Sequence, residues 1–107
     1  MDDDAVFRAL ADPNRRRLLD GLRQRDGQTL VEMCAGMAMT RQAVAKHLAI
    51  LDRANLVSSR RRGREKLHFI NPVPINAIAE RWISQFDQPR LAALSALKQT
   101  LEGDSHD

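Results

Sequence analysis

The hydrophobic and polar positions between Thr40 and Ala54 recur at the spacing of an amphipathic helix. Steps of about 100° per residue from Val44 gather the apolar side chains, together with His47, on one side of that helix. Its other sides carry the polar residues Gln42, Lys46 and Arg53 and the small residues Ala45 and Ala49. Because small side chains let the backbone come close to another surface, the pattern favours a helix that docks in a groove.

The first turn of this helix carries side chains that can read nucleic-acid bases. Thr40 is a suitable N-cap, and Arg41 and Gln42 follow it at positions where a recognition helix contacts base edges. Gln can pair with adenine through two hydrogen bonds, and Arg or Lys can pair with guanine or with phosphate. The alternative is an ordinary helix with a solvated polar face, and the neighbouring segments decide between the two interpretations.

A β-hairpin is predicted directly after the helix. Asn55 is expected to cap the helix C-terminus, and strands are expected at Leu56–Arg60 and Lys66–Ile70. Residues 61–64 form the predicted turn, in which Gly63 can adopt the positive φ that a hairpin needs. The second strand alternates apolar and polar residues, as a strand with one buried face does.

The hairpin concentrates positive charge. Five cations stand against the single carboxylate of Glu65 within residues 60–66: Arg60, Arg61, Arg62, Arg64 and Lys66. Their mutual repulsion contributes nothing to stability, whereas phosphates neutralised by such residues release condensed counterions. The concentration therefore favours a polyanionic partner over the alternative, a solvated and disordered basic loop.

The segments before residue 40 complete a helix-turn-helix. Asp12-Pro13 begins a helix that should end near Arg25. A capping box from Thr29 to Glu32 opens a short helix, and a tight turn over residues 36–39 leads into the helix at Thr40. Two short helices joined by such a turn, the second with a polar outer side, are typical of DNA-binding proteins.

The predicted fold is mainly α with a β-hairpin wing, a winged helix-turn-helix with about five or six helices. We expect one domain over residues 1–107, with the helix-turn-helix at about 29–54 and the wing at about 56–70. The segment at about 74–102 adds amphipathic helix, which Pro89 either interrupts or kinks. Because a small core has little room for so many apolar side chains, some should meet a second subunit. The alternative is that all of them fold back onto their own domain.

Three segments carry a family resemblance: FRALADPNRRRLLDGL (Phe7–Leu22), TRQAVAKHLAILDRANLV (Thr40–Val57) and the hairpin that runs into Asn71-Pro72. Together they resemble the ArsR-type family of bacterial winged-helix transcriptional regulators. The resemblance is close from about Val6 to Pro72 and loose beyond it. It implies a homodimeric repressor that binds operator DNA, is released by a signal and dimerises through helices near both ends. We assign these helices to residues of about 5–11 and 74–102, with the interface side chains Phe7, Leu10, Trp82, Phe86, Leu94 and Leu97.

Metal sensors of this family carry two cysteines two positions apart on the first helix of the helix-turn-helix, or sets of Asp, His and Glu on the C-terminal helix. Cys34 stands where the pair would begin, but it is the single cysteine of the chain. A tight Zn²⁺ or As(III) site needs about three or four soft or imidazole ligands, so we expect no metal site and no cofactor. A metal or redox response through Cys34 stays open as an alternative.

The positive charge is polarised along the chain. Residues 41–66 contain eight Lys or Arg against two carboxylates, a local charge of +6 in a chain whose net charge is +3. With the motifs above, this predicts a sequence-specific transcriptional regulator, a dimeric (auto)repressor that binds an imperfect palindrome in double-stranded DNA. The alternative is a winged-helix module that docks on another protein. The expected DNA contacts are Thr40, Arg41, Gln42, Ala45, Lys46, Arg60, Arg61, Arg62, Arg64 and Lys66.

An enzyme and a membrane protein are both unexpected. The three histidines, at positions 47, 68 and 106, have no Ser, Cys or carboxylate at the spacing of a catalytic triad, and the glycines do not form a phosphate-binding loop. We expect His47 and His68 to belong to the DNA-binding surface or to the core. The chain has no apolar run of membrane-spanning length and no signal peptide, so we expect a cytoplasmic protein.

Overall fold

The computed structural model describes residues 3–83 and 96–100. Residues 96–100 form a helical segment. The other elements are α1 (Asp3–Leu10), α2 (Pro13–Gln24), α3 (Leu30–Ala35), α4 (Arg41–Arg53), β1 (Val57–Arg62), β2 (Glu65–Ile70) and α5 (Val73–Ile83). This mainly α fold with a two-stranded hairpin confirms the predicted winged helix-turn-helix. The chain divides into two compact units, Met1–Asn76 and Ala77–Asp107, and the single domain stays a prediction.

Three helices begin where the sequence predicts, each on a side chain that accepts hydrogen bonds from N–H groups of the first turn. The carboxylate of Asp12 accepts two such bonds, of 2.8 and 3.3 Å, at the start of α2. The capping box of α3 is complete, with bonds from Glu32 N to Thr29 Oγ1 (3.2 Å) and from Thr29 N to Glu32 Oε1 (3.0 Å). At the start of α4, Thr40 Oγ1 accepts from Ala43 N at 3.1 Å.

A left-handed residue ends α4 and turns the chain into the hairpin. Asn55 has a φ of 62°, and its N–H donates to Asp52 O at 2.9 Å. The next N–H, that of Leu56, donates to Leu51 O at 2.9 Å. These two bonds are the Schellman pattern, and the buried side chains of Leu51 and Leu56 supply the apolar contact that accompanies it. The predicted C-terminal cap at Asn55 is confirmed.

The loop of the hairpin is shorter than the sequence predicted. β1 ends at Arg62 and β2 begins at Glu65, so the prediction of a turn over residues 61–64 was wrong at its start, by two residues, while its end at Arg64 is confirmed. The loop consists of Gly63 and Arg64, and Gly63 has a φ of 63°. Positive φ at the first loop residue matches the right-handed twist of paired strands. Pairing therefore continues as far as Arg62 and Glu65, which lie opposite each other.

Gln28 holds the hairpin against α2. Its backbone forms two hydrogen bonds with β2, from Gln28 N to His68 O (3.1 Å) and from His68 N to Gln28 O (2.7 Å). Its buried side chain donates to the carbonyls of Gly21 (3.0 Å) and Arg25 (2.7 Å). Carbonyls at the end of a helix need partners beyond the helix, and Gln28 supplies one. No capping pattern in the sequence predicted this role.

The core of the first unit includes the apolar side of α4. This helix contacts α1, α2, α3 and β1, as its predicted apolar side requires. The buried apolar side chains of the first unit include Val6, Ala9, Leu18, Leu19, Leu22, Met33, Val44, Leu48, Leu51, Ala54, Leu56, Val57 and Leu67. Burial of this side of α4 leaves its polar side exposed.

A largely buried guanidinium joins α1 to α4. Arg15 Nε donates to Ala9 O at 2.7 Å and Arg15 Nη2 donates to Arg8 O at 2.9 Å, which caps the C-terminal end of α1. Arg15 Nη1 lies 3.4 Å from His47 Nδ1 on α4. His47 therefore has a structural partner in the interior face of α4 and does not line the polar side.

Two glycines with positive φ offer a matched test of the packing. Gly27 has a φ of 74°, and a Cβ there would lie 3.0 Å from Phe69 Cε1, whereas nothing lies within 4 Å of a Cβ at Gly63. We expect both Gly27→Ala and Gly63→Ala to destabilise the fold by roughly 1 kcal/mol because of the left-handed backbone. Gly27→Ala should cost about 1 kcal/mol more because the Phe69 ring must shift. Urea unfolding measures both losses, and equal losses would contradict this account of Gly27.

Candidate nucleic-acid interface

The helix α4 presents two rows of exposed side chains. Gln42, Lys46 and Arg53 form the outer row, on the side of the helix opposite the buried Val44. Arg41, Ala45, Ala49 and Asp52 form the cleft row, which lies towards the hairpin. The predicted recognition helix therefore keeps its polar side open, with small side chains between the long ones.

A cleft of about 870 Å³ lies between α4, the start of α3 and the hairpin. Its apolar lining consists of Leu30, Val31, Ala45, Leu48, Ala49 and Val57. Thr29 of the capping box and Ser59 and His68 of the hairpin also line it. The cleft thus depends on helices and strands that are far apart in the sequence.

Charged side chains of both signs surround this cleft. The cations are Arg41, Arg62, Arg64 and Lys66, and the carboxylates are Glu32, Asp52 and Glu65. Four cations and three carboxylates leave a net charge of +1, below the +6 of residues 41–66. The cleft is less positive than the segment because Glu32 of α3 adds a carboxylate, while Lys46 and Arg53 of the outer row and Arg60 and Arg61 of β1 do not line it.

The structure divides the predicted DNA contacts between the cleft and positions outside it. Half of them line the cleft, namely Arg41, Ala45, Arg62, Arg64 and Lys66. The exposed residues Thr40, Gln42, Lys46, Arg60 and Arg61 do not line it. Sequence reasoning did not assign the cleft residues Glu32, Asp52 and Ser59 to this surface, because no local pattern links them to the hairpin.

The hairpin places its arginines on two faces. Arg61 lies opposite Lys66 and Arg60 lies opposite Leu67, and neighbours along a strand point to opposite faces. The guanidinium of Arg60 lies 5.0 Å from the centre of the Phe69 ring, the geometry of a cation–π pair. Arg60 is therefore engaged by the protein on the face away from Arg61 and Lys66.

An exposed ion pair closes the tip of the hairpin. Arg62 Nη2 lies 3.2 Å from Glu65 Oε2, with the two side chains 74% and 54% exposed. A pair this exposed stabilises the fold by at most about 1 kcal/mol. Because so little holds the pair together, a phosphate oxygen can replace the carboxylate of Glu65 on Arg62.

His68 is the half-buried imidazole of this cleft. Burial and the neighbouring Lys66 ammonium hold its pKa below the ordinary value of 6.5, while the Asp52 carboxylate acts in the opposite direction. In the protein without DNA, the His68 side chain is therefore mainly uncharged at neutral pH.

The predicted dimer-interface residues are described only in part. Phe7, Trp82 and Leu97 are exposed, and Leu10 is half-buried. Phe86 and Leu94 lie outside the described residues, as does Pro89. The dimer interface stays a prediction.

Cys34 is a half-buried free thiol in α3. Within residues 3–83 and 96–100, no group of three or more His, Cys, Asp or Glu side chains could hold a metal ion. No helix in these ranges is both long enough and apolar enough to cross a membrane.

Comparison with known proteins shows that the chain is similar to helix-turn-helix transcriptional regulators. A family model described as a helix-turn-helix domain matches residues 10–60. The uncharacterized HTH-type transcriptional regulator YuzN of Bacillus subtilis is 40% identical over 86 residues, which cover 75% of this chain and 94% of YuzN. The transcriptional repressor SdpR of Bacillus subtilis is 32% identical over 66 residues, 62% of this chain and 72% of SdpR. The solved structure of an ArsR-like transcriptional regulator from Rhodococcus sp. RHA1 superposes with a TM-score of 0.71 at 32% identity, covering 94% of this chain and 90% of that one.

The capping box that borders the cleft should make the stability of the fold depend on pH in the acid range. Hydrogen bonds from Thr29, first from its N–H and then from its hydroxyl, and the charge of Arg25 hold the pKa of Glu32 below its ordinary value of 4.5. The stabilisation by this carboxylate is therefore present above pH 4.5 and is lost as the pH falls through the lowered pKa. We expect Glu32→Gln to be less stable than the wild type at neutral pH and to lose less stability in acid. Parallel stability–pH curves from urea unfolding would contradict this.

Proposed function

The chain belongs to the ArsR-type family of winged helix-turn-helix transcriptional regulators, and we propose that it is a dimeric repressor that binds an imperfect palindromic operator in DNA. The observation that carries the proposal is the exposed outer row of α4 beside a cleft rimmed by Arg41 and by arginines of the hairpin. The named relatives are transcriptional regulators rather than enzymes, and SdpR carries the name of a repressor. We propose that this protein acts on DNA in the cytoplasm.

The outer row of α4 reads the bases. Gln42 and Lys46 are exposed one turn apart near the start of α4, so both can reach base edges in one major groove. Ala45 and Ala49 lie beside this row and let the helix approach the bases closely. Gln42 is suited to adenine, and Lys46 to guanine or to a phosphate.

The cleft and the hairpin hold the sugar–phosphate backbone. Arg41 on α4 and Arg62, Arg64 and Lys66 on the hairpin can contact phosphates of one strand that runs along the cleft. The Thr40 hydroxyl, which accepts from Ala43 N, can donate its own hydrogen to a phosphate oxygen. The cleft carboxylates repel phosphates in other positions, which favours the correct register over sliding contacts.

A dimer is supported by the exposed apolar side chains near the two ends of the described chain. Phe7 on α1, Trp82 on α5 and Leu97 further on are all exposed, although each is large and apolar. A two-fold dimer presents two recognition helices to half-sites whose centres lie about 34 Å apart or a multiple of it, which requires a palindrome. The bound dimer then blocks access to the promoter that contains its operator.

The proposal is tested by a gel mobility shift with the region upstream of the protein's own coding sequence, titrated with salt. We expect a shifted band that persists when random DNA of equal length is added as competitor. The affinity should fall steeply as the salt concentration rises. A winged-helix module that docks on another protein would give no shift at low salt, and that outcome would overturn the proposal.

Base readers and phosphate contacts should respond differently to substitution. We expect Gln42→Ala to cost roughly 1–3 kcal/mol on the operator and to relax the preference at one base pair per half-site. Arg62→Ala should weaken binding to all sequences and flatten the salt dependence by about one phosphate per subunit. Arg17→Ala is the control, because it removes the same charge from an exposed site on α2 that the proposal does not use. If Gln42→Ala and Arg62→Ala behave alike on operator and random DNA, these roles are wrong.

The dimer should depend on the apolar surface near the C-terminal end of the described chain. Leu97 is 55% exposed and Val73, which is not part of the proposed interface, is 58% exposed. We expect Leu97→Glu to yield monomers with most specific affinity lost and the winged-helix fold intact, because a buried unpaired carboxylate opposes association. Val73→Glu should remain a dimer. Sedimentation gives the oligomeric state, and a monomeric wild type with full operator affinity would contradict the dimer.

A further inference from the structure

The cleft beside α4 carries a balanced set of charges and one half-buried imidazole. Its four cations exceed its three carboxylates by a single charge. A proton on His68 would therefore double the net charge of the cleft, whereas the loss of one arginine would cancel it. No other single titration near neutral pH changes the electrostatics of this cleft as much, because His68 is the histidine that lines it.

The backbone of His68 is held on both sides. Its N–H and carbonyl bond to Gln28, at 2.7 and 3.1 Å, and Ser59 of β1 is its partner across the hairpin. His68 thus lies on the middle of three paired segments, away from the two-residue loop at the tip. Because the backbone is fixed, only the two side-chain torsions of His68 remain to be ordered when the imidazole meets a ligand in the cleft.

Every element around the cleft contributes charged groups to the lining that it shares with this imidazole. They are Glu32 from α3, Arg41 and Asp52 from α4, Arg62 from β1, Arg64 from the loop, and Glu65 and Lys66 from β2. Lys66 disfavours a charge on His68, and Asp52 favours it. A DNA phosphate placed in the cleft between these cations would add a second favourable negative charge and would itself need a donor.

We propose that the imidazole of His68 is a further contact to the DNA backbone in this cleft, and that it takes up a proton when a phosphate binds beside it. The inference rests on the proposed function, since it needs DNA in the cleft. Neutral in the free protein, His68 becomes a cation in the complex and donates to a phosphate oxygen. Binding is thereby linked to protons, so the repressor holds DNA more tightly as the pH falls.

The test uses the whole protein and a random DNA duplex, because a phosphate contact does not depend on sequence. Fluorescence anisotropy gives the affinity between about pH 6 and pH 8 at constant ionic strength, where histidine titrates. We expect a gain of about threefold to tenfold per pH unit for each His68 that takes up a proton. The slope of log affinity against log salt should steepen by about 0.9 for each protonated His68.

Three variants separate His68 from the other histidines of the chain. His68→Gln should bind the duplex with an affinity that does not depend on pH, and its salt slope should stay at the value expected for unprotonated His68. His47→Gln and His106→Gln should keep the pH dependence of the wild type. Far-ultraviolet circular dichroism checks that each variant folds. If His68→Gln does not fold, calorimetry of the wild type in two buffers of different ionisation enthalpy still counts the protons taken up.

The outcomes distinguish this inference from the function on which it rests. If the wild type binds no duplex at low salt, the proposed function fails. If it binds DNA with no proton uptake, or if His68→Gln keeps the full pH dependence, the role of His68 is overturned and the proposed function stands. Loss of the pH dependence in His68→Gln alone supports the inference.

Discussion

The left-handed turn at Asn55 is the constraint on which the proposed DNA-binding surface depends. It joins α4 to the hairpin through residues 54–56 alone, with a bond from Leu56 N to Leu51 O. The far end of the hairpin returns to the same turn, where Asn71 Nδ2 donates to Asn55 O and Asn71 N donates to Leu56 O, both at 2.8 Å. These hydrogen bonds, three between backbone groups counting that of Asn55 N and one from the Asn71 side chain, therefore set the position of the hairpin beside α4, and with it the shape of the cleft.

The hairpin is anchored at its base, while its charged tip is solvated. Gln28 pairs with the middle of β2 and caps the end of α2, so the strand is held against the helices. The tip has only the weak, exposed pair of Arg62 and Glu65. A rigid base with exposed arginines suits contact with phosphates, because the arginine side chains can adapt to the backbone while the strands keep their register.

The arrangement of charge separates the proposed base-reading row of α4 from the proposed phosphate-binding cleft. Lys46 and Arg53 lie in the outer row of α4 and do not line the cleft, whereas the cleft balances Arg41 and the hairpin cations against Glu32, Asp52 and Glu65. Whereas a uniformly basic cleft attracts all polyanions, a cleft with charges of both signs selects among them and their positions. It also makes the electrostatics sensitive to single charges, so a proton on one imidazole becomes significant.

The sequence by itself determined the family, the helix starts and the polar side of α4. These follow from local rules, because a cap such as Thr29 or Thr40 bonds within three residues and helical periodicity places Gln42 opposite Val44. The extent of the hairpin and the position of Arg60 on Phe69 depended on pairing and packing across the chain. Only the tertiary structure decided which cations share a cleft with which carboxylates, because that depends on contacts between segments distant in sequence.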